Sequence, residues 1–529
     1  MGHSRGHRPT TDGHSAKPSV GLVRAREWVQ GDLQCVSKAL VIVVLLLLQG
    51  ASASAQPGVW TWMRGTYGVC DPTPNEPPCG YAFAHWADTA GQFWVNVSDG
   101  LWKYNVQANT WSHVHPSGIM SNIQAPLGVY DSLNTPGYVL NGAYTWTTSD
   151  DVLWLYGGIG GCTLFWKYSI ALDQWAWMGT YTLPNYGIKG VPDSTNSPGC
   201  MGESNAAWVD DAGDLWMFGS GDPGNSMWKY EMASGWWTWM SGSNNFDAGS
   251  YGMIGVPSIN DYPSSRWTNF YWKDDSGDFW VGLGFNGGYI ATDIWRFDPV
   301  TLEWTWMSGS PNAASCTPSG VACDTTQANH PGGRFENRTM WRISDKLIIT
   351  YAGKTCTGYY NDLWAYLPLQ SIWVKLDDYS ISGHYGTLGV PSSLDYPRYR
   401  IGAAGFKDRS NNLWVYSGWT FGSMGNDLWR YELDWHCIPY SASGINDEFA
   451  EPVVSLYPNP VFSSATLELD GNYSAAVLRI FNAIGEQVWW QPISARSTTI
   501  SLEELQAGIY FYHLTSRARI LASGKLVRE

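Results

Sequence analysis

His113 and His115 alternate within "TWSHVHP", a segment that reads as a strand. Residues i and i+2 share one face of a strand, so two imidazoles at that spacing could hold a metal. They are the only close pair among the histidines beyond residue 55, and ordinary outer-strand and loop positions are the expectation; no metal and no cofactor is read from the sequence. Ser204 lies in "GESNA", which lacks the last glycine of a nucleophile elbow and has no βα context. "YGGIGG" is glycine-rich but closes a strand instead of opening a helix, which argues against a phosphate loop. Asp211 and Asp275 each begin an Asp-x-Gly-x-x-Trp phrase, which reads as an Asp-Gly hairpin turn. A carboxylate pair for glycoside cleavage would have to be assembled from distant parts of the chain. Recognition is the better-supported chemistry. Tyr186, Tyr251, Tyr262, Tyr385 and Tyr396, with Arg266, Arg334 and Arg400, stand in or beside long connections such as "GSYGMIGVPSINDYPSSR" and "GHYGTLGVPSSLDYPRYR". Aromatic faces with guanidinium groups could stack on sugar rings or grip a protein. The competing reading is that the repeated Gly-Val-Pro and Tyr-Gly words are packing elements.

The elements that would position these residues are legible as a repeat. Words of the "LWKY" kind place Trp102, Trp166, Trp228, Trp295, Trp364 and Trp429 at successive spacings of 64, 62, 67, 69 and 65 residues. Each copy reads as four short strands, for example "SNAAWVDD", "LWMFGS", "MWKYEM" and "GWWTWMS", joined mostly by turns. In "DLWRYE" the alternation puts Asp427, Trp429 and Tyr431 on one face and Leu428 and Arg430 on the other. Six four-stranded sheets bury both faces if packed radially. The sixth copy lacks a "WTWM" strand, and the unmatched "PGVWTWMRG" at Pro57–Gly65 supplies it. The expectation is an all-β chain: a six-bladed propeller over residues 56–440, closed by Val59–Met63.

Bulk composition narrows the function. The formal charge is −15, and residues 1–55 carry a positive balance, so the remainder is more acidic still. Nucleic acid and anionic membrane surfaces are thereby disfavoured as partners. With 44% hydrophobic residues the chain can build a core, and its 33 Trp and 30 Tyr against 16 Phe favour rings with a polar handle, suited to half-buried strands and wet surfaces. "SKALVIVVLLLLQGASASAQ" has the basic approach, short apolar run and small-residue exit of a secretory signal peptide, assigned to residues 1–55. No later segment is apolar enough to span a membrane. Eight cysteines follow the leader, and an even number in an exported chain suggests disulfides. Cys70 and Cys79, and Cys316 and Cys323, are close enough in sequence to close loops; Cys162 with Cys200 and Cys356 with Cys437 are what remains and could pair, though sequence alone does not fix the connectivity.

The outer-strand words "NDLWRYE" and "EWTWM", with Tyr156-Gly157-Gly158 ending one second strand, resemble the kelch-type β-propeller family over roughly residues 57–440. Other second strands end in "FGS", "GLG", "YAG" and "YSG", departing from the family's double glycine. The Asp-x-Gly-x-x-Trp phrases are similar to the Asp box of sialidase propellers, without its Ser/Thr. A kelch-type copper-radical oxidase would need a Tyr, Cys and His constellation, and none is legible. Beyond a polar linker at 441–450, residues 451–529 read as a small Ig-like β-sandwich. Its "YPNP" (Tyr457, Pro458, Asn459, Pro460), "IFNAIGEQV", "LQAGIYFYHL" around Gly508 and basic "GKLVRE" resemble the C-terminal sorting domain of type IX secretion substrates. That resemblance implies partnership with the secretion machinery, and release outside the cell or display on the outer-membrane surface. The resulting expectation is a secreted or cell-surface binding or adhesion propeller with a glycan or protein ligand; a secreted carbohydrate-active enzyme is the alternative.

Overall fold

The computed structural model describes most of residues 58–438 and 454–529; short stretches within them, including 158–163, 200–205 and 311–316, are outside the described residues. The expected signal peptide and the linker at 441–450 therefore lie outside them, as do Cys162, Cys200, Cys316 and Ser204.

Six antiparallel sheets follow the repeat. The third is typical, with strands Ala206–Val209, Leu215–Ser220, Ser226–Glu231 and Trp236–Ser241 hydrogen-bonded in chain order. First strands, such as Tyr144–Thr147 and Phe270–Lys273, each touch the first strand of the sheets on either side, and the series closes on itself as a ring. Six hydrophobic clusters fill the spaces between consecutive sheets, one per interface. The alternation in "DLWRYE" shows why. Leu428 packs with Phe93 and Trp102 of the first sheet, whereas Trp429 and Tyr431 share a cluster with Ile349 and Leu363 of the fifth.

The sixth sheet runs Ala404–Lys407, Leu413–Tyr416, Leu428–Glu432 and then Val59–Arg64, the N-terminal strand. Val59 faces Glu432 and Trp62 faces Trp429 in that register, so the expected clasp is present. A fourth strand would leave an open edge, and on four of the sheets a glycine of the connection between sheets caps it. The backbone N–H groups of Gly128, Gly190, Gly255 and Gly389 donate to the carbonyls of Trp177, Trp239, Trp306 and Trp62 at 2.7–2.8 Å. These are the glycines of the repeated Gly-Val words. All four hold φ of 75–78° with open space around a would-be Cβ, so backbone conformation, not crowding, demands glycine there.

Four of the hairpins from first to second strand are tied by an aspartate. Asp88, Asp210, Asp274 and Asp408 accept backbone N–H groups of their own turn, and each also accepts the indole N–H six residues on, at Trp94, Trp216, Trp280 and Trp414. The turn aspartate is thus one residue earlier than Asp211 and Asp275. Those two are exposed and pair instead with Lys273 and Arg342 of the next sheet.

Cys70 is joined to Cys79, with Cα atoms 4.6 Å apart. Cys323 is joined to Cys437, not to Cys316, with Cα atoms 4.4 Å apart, so neither the sequence-adjacent nor the leftover pairing holds for these two residues. The loop carrying Cys323 lies along the outer strand of the fifth sheet, where its N–H donates to the Lys375 carbonyl at 3.0 Å, and the chain leaving the sixth sheet buries Cys437 in the cluster shared by those two sheets. Cys356 is also disulfide-bonded.

The C-terminal sandwich has a three-stranded sheet (Val454–Tyr457, Ser464–Leu469, Ser497–Ser501) and a four-stranded one (Gln487–Ile493, Ala476–Phe481, Gly508–Ser516, Arg519–Arg528). Val461, Leu467, Leu478, Ile480, Ile500, Leu514 and Leu526 form its core. Asn459 of the "YPNP" word straps the last strand, donating to the Lys525 carbonyl at 2.7 Å and accepting the Val527 N–H at 2.9 Å.

Candidate binding site at the mouth of the ring

The eight side chains singled out by sequence serve first as structure. Arg266, Arg334 and Arg400 are 0–2% exposed, so, contrary to the expectation, they are not placed for direct ligand contact. Each sits just before a first strand and forms a two-pronged ion pair with an aspartate at the start of a third strand: Arg266 with Asp293 at 2.6 and 2.8 Å, Arg334 with Asp362 at 2.5 and 2.6 Å, Arg400 with Asp427 at 3.3 and 2.9 Å. Each guanidinium also donates to the carbonyl that follows its sheet's second strand, on Leu283, Ala352 and Ser417. The same aspartates accept the indole N–H of Trp295, Trp364 and Trp429. Burial alone would raise the Asp293 and Asp427 carboxyls; the facing arginines outweigh it and hold both below the ordinary value.

Tyr251 and Tyr385 complete two of these networks, donating to Asp293 and Asp427 at 2.6 Å. Burial, and then the neighbouring carboxylate, push both phenols up. Each ring, like that of Tyr186, fits against the third-strand Trp and the second Trp of an outer strand: Trp228 and Trp239 for Tyr186, Trp295 and Trp306 for Tyr251, Trp429 and Trp62 for Tyr385. Tyr262 reaches toward Asp247, and Tyr396 stacks on Tyr379. The five tyrosines belong to three different inter-sheet clusters, so the fold does not gather them into one site. His113 lies flat on Trp102 at 4.4 Å and contacts the Asp99 carbonyl, while His115 contacts the Ser132 carbonyl, so the pair is separately engaged.

A different set of aromatic residues does converge. The residue after each buried arginine begins an extension of the inner wall: Trp267 pairs with Phe285, Phe335 with Lys354, and Ile401 with Trp419. Two small hairpins, Lys354–Thr355 with Gly358–Tyr359 and Trp419–Thr420 with Ser423–Met424, continue it. Because first strands form the innermost ring, these residues stand at one mouth of that ring. Trp267 stacks on Phe285 at 5.5 Å, Phe285 meets Phe335 at 5.2 Å, and Tyr359 meets Tyr399 at 4.8 Å and Trp419 at 5.9 Å. The Lys354 ammonium bridges the two groups, 5.2 Å from the Phe335 ring and 5.5 Å from that of Tyr359. Trp267, Phe285, Phe335, Lys354, Tyr359 and Trp419 are half-buried, with faces or edges still open.

The mouth is braced by backbone hydrogen bonds between sheets. Gly284 donates to Arg334 at 2.7 Å, Gly402 to Glu336 at 3.0 Å, Ala82 to Gly402 at 2.7 Å and Gly142 to Ala82 at 3.0 Å. A cavity of 320 Å³ opens there, lined by Phe285, Tyr289, Ile290, Phe335, Lys354 and Thr355 among others, at the lower end of the size range of small-ligand sites. Sequence reasoning missed this set because Phe285, Lys354, Tyr359 and Trp419 lie in second-to-third-strand connections that share no common word, while Trp267 and Phe335 lie in the approach to a first strand. The one local signal was the position directly after each arginine.

Among comparisons with known proteins, one is decisive for part of the chain. Residues 455–529 match the family of secretion system C-terminal sorting domains. The protein is therefore a secreted or cell-surface protein, and its sorting domain implies an interaction with the secretion machinery. The disulfides fit an extracellular location. No curated protein matches the chain. Among solved structures, a fungal alcohol oxidase of the AA5 family, in complex with copper, aligns at a TM-score of 0.41 and 11% identity, over 90% of this chain and 99% of the oxidase. A likeness at that level says nothing about this chain's activity. Among the described residues no helix is long and apolar enough to cross a membrane.

Proposed function

We propose that the chain is an exported kelch-type propeller of six blades over residues 56–440, joined through a linker at 441–450 to a sorting sandwich over 451–529, and that it binds carbohydrate at the mouth of the ring. The observation that carries this reading is the arc of half-buried rings from Trp267 through Phe285 and Phe335 to Tyr359 and Trp419, on backbone braced between sheets, with Phe285 and Phe335 also lining a cavity. Sugar rings present flat C–H faces that stack on aromatic side chains, with hydroxyls left for polar groups at the rim. A rigid platform binds without having to order itself first. Near-equivalent blades held by buried networks, with the aromatic set exposed where the blades differ, suit recognition better than turnover.

The test is a screen of the mature chain on glycan and protein arrays beside a panel of glycoside and alcohol substrates. Glycan binding without turnover, lost on Phe335→Ala or Trp419→Ala, is expected. Turnover abolished by a single Asp or Glu substitution, or binding only to protein, contradicts the reading.

A further inference from the structure

We propose that the cavity beside Lys354 takes an acidic sugar, with the carboxylate of a uronic acid unit meeting the Lys354 ammonium and the ring lying against Phe335 and Phe285. This rests on the carbohydrate-binding reading above and narrows it to a substrate class.

Many of the other cations on the ring already face a carboxylate. The three buried arginines each face an aspartate, and Lys229, Lys273, Lys375 and Arg342 are each paired with one. Lys354 differs in combining three features. Its side chain lines a cavity. Its ammonium is held between two aromatic rings, Phe335 and Tyr359, in place of an acidic neighbour. Among the described residues no carboxylate lies within ion-pair distance of it.

An ammonium flanked by two rings and without a carboxylate partner among the described residues is a site for a ligand anion, because a charge-assisted hydrogen bond there is stronger than a neutral one and the rings hold the ammonium in place. The same Phe335 ring that flanks the ammonium meets Phe285 at 5.2 Å, so a flat apolar face and a positive charge adjoin. Tyr289, exposed on the cavity wall, adds a phenol to that rim. A bare phosphate or sulfate would use the charge and leave the rings idle; a neutral sugar would do the reverse. A carboxylated sugar ring uses both. The protein's strongly acidic balance makes this local charge necessary for such a ligand to be held at all.

The experiment is calorimetric titration of the mature chain with oligomers of galacturonate, glucuronate and mannuronate, beside their neutral hexose counterparts and a poly-glutamate peptide. At least one uronate series binds about tenfold or more tightly than its neutral counterpart, the discrimination expected of a hydrogen bond to a charged group. Lys354→Gln removes that preference in a chain that melts as the unaltered one does, and Lys354→Arg keeps it. Equal affinity for acidic and neutral oligomers, full retention of the preference in Lys354→Gln, or poly-glutamate binding as tightly as the uronates overturns the inference but leaves a binding mouth. Failure of every oligosaccharide, acidic or neutral, removes the carbohydrate reading along with it.

Discussion

At the scale of single residues, the arginines illustrate how burial changes a reading. Arg266, Arg334 and Arg400 are of the type that recognises ligands, and nothing in their local words marks them as internal. Their aspartate partners lie 27 or 28 positions away, across a hairpin, at a separation no local pattern displays. Removing one member leaves a buried carboxylate without its counter-charge, which costs about 3–5 kcal/mol. Arg400→Ala is accordingly expected to lower the melting temperature sharply, as followed by calorimetry, with any loss of ligand affinity explained by that destabilisation. A second residue-scale expectation concerns pH. Burial, then the nearby Asp274, raises the Asp278 carboxyl to about 6 from an ordinary 3.8. The folded state therefore holds this proton more tightly than the unfolded chain, so the contribution is present at low pH and lost as pH rises through about 6. Asp293 and Asp427 are shifted down, so their contribution is present above the ordinary value and lost as pH falls through their lowered folded values. Melting temperature should rise between about pH 7 and pH 5 and fall below about pH 3.8. Asp278→Asn should abolish the rise alone; a flat wild-type profile between about pH 7 and 5 contradicts this assignment.

Among the elements, the repeat was legible because every sheet is built from the same tryptophan words, and the N-terminal "VWTWM" was legible as a clasp because one copy lacked it. The turn aspartates were read one residue late: "DDAGD" and "DDSGD" each offer two adjacent carboxylates, and only geometry selects Asp210 and Asp274. The Gly-Val words were seen as packing elements without a destination; their N–H groups turn out to cap the outer strand of a neighbouring sheet. Deleting Val59–Arg64 removes a hydrogen-bonded partner of Leu428–Glu432 and exposes an unpaired edge, together with the pocket left by the buried Trp60. The truncated chain should melt at a markedly lower temperature and aggregate on concentration, read by light scattering. Melting indistinguishable from that of the intact mature chain would show that the clasp carries no weight.

For the molecule as a whole, the sorting sandwich and the proposed binding mouth differ in how far the sequence displays them. The sandwich was legible from ordered words, since "YPNP" sets a strap on the last strand through Asn459. A chain ending before residue 451 is expected to fold and to remain in the periplasm of its own host, measured by fractionation; delivery outside the cell without the sandwich contradicts its role. The proposed binding mouth was not legible, because Phe285, Phe335, Lys354 and Trp419 come from three consecutive sheets and meet only when those sheets pack together. The loop residues that did repeat, such as Ile188, Ile254 and Leu388, are exposed on the connections between sheets and make the rival surface. Hydrogen exchange with mass spectrometry, on the mature chain with and without a saturating oligosaccharide from the array, separates the two. Protection confined to residues 284–290, 353–360 and 417–424, at the mouth, is the predicted result. Protection on the connecting loops around residues 183–198, 246–263 and 381–396, with the mouth unchanged, would contradict it.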